Sequence, residues 1–117
     1  MDQLKQTPQH YLQWIRTGTE GITELVAIDD VVYFQADQKH TSVYTANQEY
    51  FIRTSIKELE AELDPGKFWR IHRGIIVAAA AIKNARRDLR GRYTLTLNNR
   101  PETVRSRQTY SHHFKQM

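Results

Sequence analysis

The chain has 117 residues, enough for one domain with a buried core, and its apolar and charged fractions are those of an ordinary globular protein. It contains no cysteine, which excludes disulfides and thiolate metal sites. No apolar run approaches the ~20 residues of a membrane helix, and the first ten residues lack the apolar stretch of a signal peptide. We therefore expect a cytoplasmic protein.

The charged residues are divided unevenly along the chain. Residues 1–64 contain five Lys/Arg and eleven Asp/Glu, a net charge of −6, whereas residues 65–117 contain twelve Lys/Arg and two Asp/Glu, a net charge of +10. Nine of the twelve cations in the second part are arginines. This asymmetry favours a polyanionic partner for residues 65–117, and a basic face that is merely solvated is the alternative.

The first 20 residues are predicted to be a linker or an N-terminal extension, and residues 21–117 the domain itself. Within the extension, Tyr11, Trp14 and Ile15 have helical or irregular spacing, and the sequence TGTEG then breaks the pattern.

The start of the domain has the pattern of strands. The segment ELVAIDDVVYF predicts two short strands on either side of Asp29-Asp30. The segment TSVYTANQEYFIR alternates apolar and polar residues and predicts a hairpin with its turn at residues 46–48.

One helix is strongly indicated. Ser55 followed three residues later by Glu58 is a capping box, and an apolar stripe at i, i+3 and i+7 begins at Ile56. The sequence DPG stops the pattern, so the helix is predicted over residues 56–63.

The C-terminal part is predicted to continue in strands. AAAAI indicates a helical turn before a strand at 82–86, and RYTLTLNNRPETVR indicates a hairpin with positive φ angles at Asn98-Asn99. Ser106 is predicted to cap a terminal helix, whose apolar face would comprise Tyr110, Phe114 and Met117. The expected fold class is mostly β with short α-helices.

No arrangement of residues indicates catalysis. Asp29-Asp30 and His112-His113 are adjacent pairs whose side chains diverge, whereas metal ligands on a helix prefer i, i+3 or i+4. The sequence has no glycine-rich phosphate loop, and no serine lies in a GxSxG context. We therefore expect no catalytic residues, no metal, no cofactor and no enzymatic activity, which excludes a small nuclease or deaminase.

The arginines suit duplex DNA, because a guanidinium binds a phosphate or a guanine edge with two parallel hydrogen bonds. They occur in segments expected to be turns: RIHR, ARRDLRGR, NNR and VRSR. RNA-binding strands of the RNP type display exposed aromatic residues, whereas Tyr33, Phe34, Tyr44 and Phe51 have core-like spacing. The alternative is a non-enzymatic interaction module whose basic face docks an acidic protein, a membrane surface or RNA.

Four segments, in order, resemble the LytTR family of bacterial DNA-binding domains. They are IDDVVYFQADQKHTSVYT, the capped helix leading into FWRIHR, the aliphatic run GIIV that follows, and VRSRQTY, which is similar to the VSR motif of the family. The resemblance covers residues 22–115. It implies a fold of small packed sheets that presents DNA-contacting loops to successive major grooves.

The resemblance also implies individual contacts. Base contacts are expected from His40, Arg73 and Arg107, with Arg105 as the alternative to Arg107. Contacts to the DNA backbone, or secondary contacts, are expected from Lys39, Arg70, His72, Arg86, Arg90, Arg100 and Arg105. The chain departs from the family pattern at Gly74, where serine is commoner, and at Ala78, where asparagine is common.

Such domains are commonly the output modules of two-component response regulators. The resemblance therefore implies binding to promoter DNA, at paired direct repeats, as a dimer. An N-terminal receiver domain is expected but does not fit in 117 residues. We expect either an excised output module or a stand-alone regulator, and favour the first.

Overall fold

The computed structural model describes residues 10–116, which form antiparallel strands with few and short helices. The strands are β1 (Trp14–Thr19), β2 (Ile22–Ala27), β3 (Val31–Ala36), β4 (Thr41–Thr45), β5 (Glu49–Ile52), β6 (Phe68–His72), β7 (Ile75–Ala78), β8 (Ile82–Arg87), β9 (Tyr93–Leu97) and β10 (Thr103–Arg105). The helices are α1 (Ile56–Glu62) and three 3₁₀ helices, Ile28–Asp30, Ala79–Ala81 and Gln108–His113. The predicted fold class is confirmed.

A five-stranded sheet forms the centre of the molecule, with the strand order β5–β4–β3–β7–β6. Its middle strand, β3, begins with four consecutive buried residues, Val31–Phe34. A strand with this pattern is covered on both faces. The helix α1 packs on β3 and β7 through Ile56 and Leu59, both of which are buried.

The capping box of α1 is present as predicted. The Glu58 N–H donates to the Ser55 hydroxyl at 3.1 Å, and the Ser55 N–H donates to the Glu58 carboxylate at 3.0 Å. The helix ends one residue earlier than predicted, because Leu63 has an extended backbone with ψ of 150°.

A three-stranded sheet, β8–β9–β10, lies next to the central sheet. Leu95 and Val104 are opposite each other in its register, and both are buried. The Tyr33 hydroxyl of β3 donates to the Glu102 carboxylate at 2.8 Å, which ties the loop before β10 to the central sheet.

The N-terminal segment differs from its prediction. Residues 14–19 form the strand β1, paired with β2, and not a helical or irregular stretch. The turn between them, Glu20-Gly21, has positive φ at both positions, as a two-residue hairpin with type I′ geometry requires. Gly18 is also obligatory, because an added Cβ would lie 1.9 Å from the Ile22 carbonyl oxygen. The boundary at residue 20 stays a prediction, and residues 1–9 of the proposed extension lie outside the described residues.

Two predictions for the C-terminal part were wrong. The β9–β10 connection is a five-residue loop, and neither Asn98 nor Asn99 has the positive φ of a tight turn. Ser106 does not cap a helix: it is buried, and its hydroxyl accepts a hydrogen bond from the Tyr93 N–H at 3.3 Å. The 3₁₀ helix begins only after Arg107, and Met117 lies outside the described residues.

Candidate nucleic-acid interface

The turn between β6 and β7 presents Arg73. The pairing of these strands is irregular between Arg70 and His72, so the chain bulges just before the turn. The Gly74 N–H donates to Nδ1 of His72 at 3.0 Å, which fixes the imidazole against the turn. Arg73 itself is exposed.

Arg70 braces this turn from inside the protein. Its guanidinium donates to the carbonyl oxygen of Arg73 at 2.6 Å and to that of His72 at 3.4 Å. The third nitrogen binds the Glu60 carboxylate on α1 at 2.8 Å, and the Arg70 side chain is only 18% exposed. All three guanidinium nitrogens of Arg70 are therefore used within the fold.

The turn between β3 and β4 presents Lys39 and His40. It is closed by the Asp37 N–H, which donates to the His40 carbonyl at 2.8 Å. The His40 ring stands edge-on to Phe51, with centroids 4.4 Å apart. Its Nε2 is 3.6 Å from the Asp37 carboxylate and has no hydrogen-bond partner within residues 10–116, although it is shielded from solvent.

Backbone hydrogen bonds join the three predicted base-contact segments. The Ala36 N–H at the end of β3 donates to the Gly74 carbonyl at 2.8 Å. The Arg107 N–H donates to the Ile71 carbonyl of β6, also at 2.8 Å. The turn of Arg73 therefore lies between the turn of His40 and the segment of Arg107. We call the surface formed by the turn of His40, the turn of Arg73 and the segment of Arg107 the three-loop face.

Positive charge converges on His72 at the centre of this face. Burial lowers the pKa of His72, and the nearby guanidinium groups of Arg107, Arg73 and Arg70 lower it further. The neutral ring is also the form that can accept the Gly74 N–H at Nδ1. His72 thus acts as a neutral support among three cations.

Arg100 lies in a different environment from the three-loop face. Its Nε is 2.5 Å from the Glu102 carboxylate, and an Nη donates to the Thr45 carbonyl at 2.6 Å. The guanidinium also lies 4.9 Å from the centroid of the Tyr44 ring. Burial raises the pKa of Tyr33 in the same network, as does its hydrogen bond to Glu102. This network connects the two sheets.

The remaining predicted contact residues are exposed, but not all of them are on turns. Arg90 is in the β8–β9 connection, as expected. Arg86 and Arg105 are instead within strands, β8 and β10. The expectation that the arginines occur on turns was therefore wrong for these two, and also for Arg70 in β6 and Arg87 in β8.

Sequence reasoning missed Arg53. This exposed residue follows β5, whose last residue, Ile52, is paired with Thr41. The recorded pairing ends there, and the same antiparallel register extended by one residue would set Arg53 opposite His40. Counting outward from the predicted turn at residues 46–48 could have revealed this neighbour.

Two features are absent from the part of the chain that the structure describes. None of its helices is long and apolar enough to span a membrane. Over residues 10–116, no three His, Asp or Glu side chains are grouped as metal ligands would be.

The comparisons with known proteins identify the family. The family model described as the LytTr DNA-binding domain matches residues 22–117. The chain therefore belongs to the LytTR family of DNA-binding domains. A solved LytTr DNA-binding domain, from a methyl-accepting/DNA response regulator of Bacillus cereus, superposes with a TM-score of 0.78 at 26% identity, over 87% of this chain and 93% of that one.

Curated relatives are regulators. The chain is 37% identical over 97 residues to an uncharacterized response regulatory protein of Vibrio cholerae, which covers 78% of this chain and 37% of that protein. It is 38% identical over 80 residues to a CO-responsive transcriptional regulator of Rhodospirillum rubrum, covering 68% of this chain and 34% of the relative. A positive alginate biosynthesis regulatory protein of Pseudomonas aeruginosa is 34% identical over 83 residues, which cover 71% of this chain and 33% of that protein. The chain thus spans about a third of the length of these relatives.

Proposed function

We propose that this domain binds duplex DNA sequence-specifically, as the output domain of a bacterial transcriptional response regulator. The observation that carries the proposal is the three-loop face, on which backbone hydrogen bonds set the segments of His40, Arg73 and Arg107 side by side. Separate loops on one face can enter successive major grooves, where base edges carry a distinct donor and acceptor pattern.

Each residue of the face has a proposed role. Arg73 and Arg107 are exposed and suited to a guanine edge, to which arginine binds with two hydrogen bonds. We assign base reading to Arg107 instead of Arg105, because the Arg107 backbone is bonded to β6 beside the Arg73 turn. His40 is the third proposed base contact, with Lys39 and Arg53 next to it on phosphate.

Three residues first expected as backbone or secondary contacts have internal roles in this proposal. Arg70 and His72 position the Arg73 turn through the hydrogen bonds described above. Arg100 is occupied by Glu102 and by the Thr45 carbonyl. Arg90 remains a proposed phosphate contact, because its side chain is exposed in a connection between strands.

The assembly on DNA is part of the proposal. Because the chain spans about a third of its curated relatives, we propose that it acts with a separate sensing domain such as a receiver. We also propose that two copies bind paired direct repeats in a promoter.

Selection of bound sequences from a random duplex pool tests this function. We expect a defined motif, present as two half-sites spaced by about one helical turn. Arg73→Ala and Arg107→Ala should each weaken the selected site by about 1–3 kcal/mol and relax the preference at one position. Arg87→Ala, which removes an exposed arginine away from the three-loop face, is the matched control. Recovery of no motif, or equal loss on selected and scrambled duplexes for Arg73→Ala, would contradict base reading.

A further inference from the structure

The outer face of the β8–β9–β10 sheet is a second basic surface. Thr94 on the central strand lies opposite Arg86 on one side and Arg105 on the other. Residues directly opposite each other on neighbouring strands share a face of the sheet. In the next row on this face, Thr96 of the central strand lies opposite Asn84 on one side and Thr103 on the other. We call the whole surface the arginine–threonine face, and its residues are Asn84, Arg86, Thr94, Thr96, Thr103 and Arg105.

The opposite side of the same sheet faces the core. Leu95 and Val104 are buried, and Ala85, which is opposite Leu95, is partly buried. Because successive side chains of a strand point to opposite faces, the six residues of the arginine–threonine face point away from the core. Four of them are exposed and the two central threonines are partly exposed. None of the six is acidic or apolar.

The arginine–threonine face continues into the three-loop face. Ser106 points inward, because it is buried and its hydroxyl accepts the Tyr93 N–H. The extended backbone of Arg107 therefore directs this side chain outward again, on the same side as Arg105. Arg107 in turn is bonded to Ile71 beside the Arg73 turn.

Among the described residues, no counter-ion accounts for these arginines. Within residues 10–116, neither Arg86 nor Arg105 has a carboxylate within 4.0 Å. Asp88 lies at the end of β8, and it is already engaged by the Arg92 guanidinium at 3.1 Å. Desolvation opposes ionisation of Asp88, but hydrogen bonds from the N–H groups of Arg92 and Arg90 lower its pKa overall. The charges of Arg86 and Arg105 are therefore available to an external anion.

We infer that the arginine–threonine face binds the sugar–phosphate backbone of the duplex that flanks the site read by the three-loop face. This inference rests on the proposed function. Arginine binds phosphate with paired, charge-assisted hydrogen bonds, and threonine and asparagine side chains donate to phosphate oxygens. Because the face is continuous with the three-loop face, duplex DNA is the polyanion it meets. Such contacts add affinity without reading sequence.

A pair of double variants tests the face. Arg86→Ala with Arg105→Ala removes both of its cations. Arg87→Ala with Lys115→Ala removes two exposed cations from the other side: Arg87 is next to Arg86 but paired with Tyr93, and it lines a different cavity together with Lys115. Binding of each protein is measured over a salt series on a 40-base-pair duplex that carries the selected site and on a scrambled duplex of the same length. Thermal unfolding verifies that each variant is folded.

Log affinity falls as log salt rises, and each phosphate contact contributes about −0.9 to this slope. We therefore expect the first double variant to make the slope less negative by about two on both duplexes. The ratio of affinities for selected and scrambled DNA should stay unchanged. The charge-matched control should keep the wild-type slopes. Replacing Arg86 and Arg105 by lysine, which also binds phosphate, should restore most of the slope.

Three results would overturn the inference. They are an unchanged slope, an equal loss in the control variant, which would indicate net charge instead of a face, and a loss confined to the selected duplex. Failure of the proposed function is a separate result. If wild-type protein does not discriminate between the two duplexes, base reading fails, while the slope difference between the two double variants still tests the face.

Discussion

The turn of Arg73 and the turn of His40 are neighbours, yet they are held in different ways. The Arg73 turn is fixed by side chains from three directions: the Arg70 guanidinium, the His72 ring and, through Arg70, the Glu60 carboxylate on α1. The His40 turn is closed by one backbone hydrogen bond and by local bonds of Asp37. Nε2 of His40 is left without a hydrogen bond among the described residues.

This difference suggests that Arg73 and His40 have different roles in DNA binding. A preorganised group loses little conformational freedom on binding and discriminates sharply against a wrong partner. The Arg73 turn has that character. In contrast, Nε2 of His40 lacks a hydrogen bond among residues 10–116, and the ring is positioned by an edge-on contact with Phe51, so it can turn towards a base. We therefore expect Arg73 to set specificity and His40 to add adaptable affinity.

Removal of the brace should have the largest effect. Arg70→Ala leaves two carbonyls and Glu60 without their charged donor, and hydrogen bonds to charged groups contribute about 1.5–3 kcal/mol each. We expect a loss of about 2–3 kcal/mol in the free energy of unfolding and at least a tenfold weaker affinity for the selected site. Urea unfolding and duplex titration measure the two quantities.

Two other variants sharpen this result. Glu60→Ala removes only the half-exposed partner, and a pair of that kind contributes about 0–1 kcal/mol. Arg70→Lys keeps the charge but not the planar fork, so we expect an intermediate loss. If Arg70→Ala kept full stability and weakened all duplexes alike, Arg70 would be a DNA contact, as first expected from the resemblance.

The comparison predicts a different response at His40. His40→Ala should weaken the selected site by about 1–2 kcal/mol, within the range for one lost base contact. Its edge-on contact with Phe51 contributes only about 0.5–1.5 kcal/mol, so the loss of stability should be small. Lys39→Ala is the adjacent control, and it should make the slope of log affinity against log salt less negative by about one on every duplex. A larger loss of stability for His40→Ala than for Arg70→Ala would contradict the proposal that the Arg73 turn is the more rigidly held of the two.

The pH dependence of stability is expected to report on the fixed turn. Because the pKa of His72 is lower in the folded state than in the unfolded state, the unfolded chain binds more protons than the folded chain as pH falls. The stabilisation from neutral His72 is therefore complete above the unfolded pKa of about 6.5, and it is lost as pH decreases through the lowered folded-state pKa. His113 has the same sign, since burial and the charge of His112 lower its pKa.

Urea unfolding between pH 7.5 and 5.5 measures this dependence. His72→Asn retains an acceptor at the position of Nδ1 but does not titrate, so its stability should fall less steeply with acidification than that of the wild type. His112→Asn should also flatten the curve, by removing the charge next to His113, without a change in affinity for DNA. Parallel curves for wild type and His72→Asn would show that protonation of His72 is not coupled to unfolding.

The structure also shows which features the sequence could predict. The capping box at Ser55 and Glu58 and the hairpin around residues 46–48 are local patterns, and both are present. The strand β1 was missed because Trp14 and Arg16 are both exposed, so its apolar residues do not mark a buried face. A strand is predicted from the alternation of buried apolar and exposed polar residues. A strand with an apolar residue on its exposed side does not show this alternation and is not predicted.

The internal roles of the arginines needed the tertiary structure. Composition treats Arg70, Arg100 and Arg105 alike, but only the fold brings Glu60 to the first and the Thr45 carbonyl to the second. Likewise, the hydrogen bond between Arg107 and Ile71 joins segments 36 residues apart in the numbering, and no periodicity reveals it. The resemblance identified the segments of the three-loop face, and the structure gives the physical links between them.

The smallest effect is expected at Gly74, a residue of the Arg73 turn whose carbonyl accepts the Ala36 N–H next to the His40 turn. An added Cβ would lie 3.4 Å from the Ala36 Cβ and 3.9 Å from Nδ1 of His72, which is ordinary contact, and the φ of Gly74 is not in the left-handed region. Gly74→Ser and Gly74→Ala should therefore both fold, with stability equal to the wild type or up to about 1 kcal/mol higher, because the unfolded chain loses freedom.

The difference between these two variants isolates one hydroxyl. On the three-loop face, the serine hydroxyl can donate to a phosphate, whereas alanine cannot. We expect Gly74→Ser to bind selected and scrambled duplexes more tightly than Gly74→Ala by the same small factor, since the phosphate carries no sequence information. A gain confined to the selected duplex would mean that position 74 lies against a base edge, and the Arg73 turn would then enter the groove more deeply than its bracing by Arg70 implies.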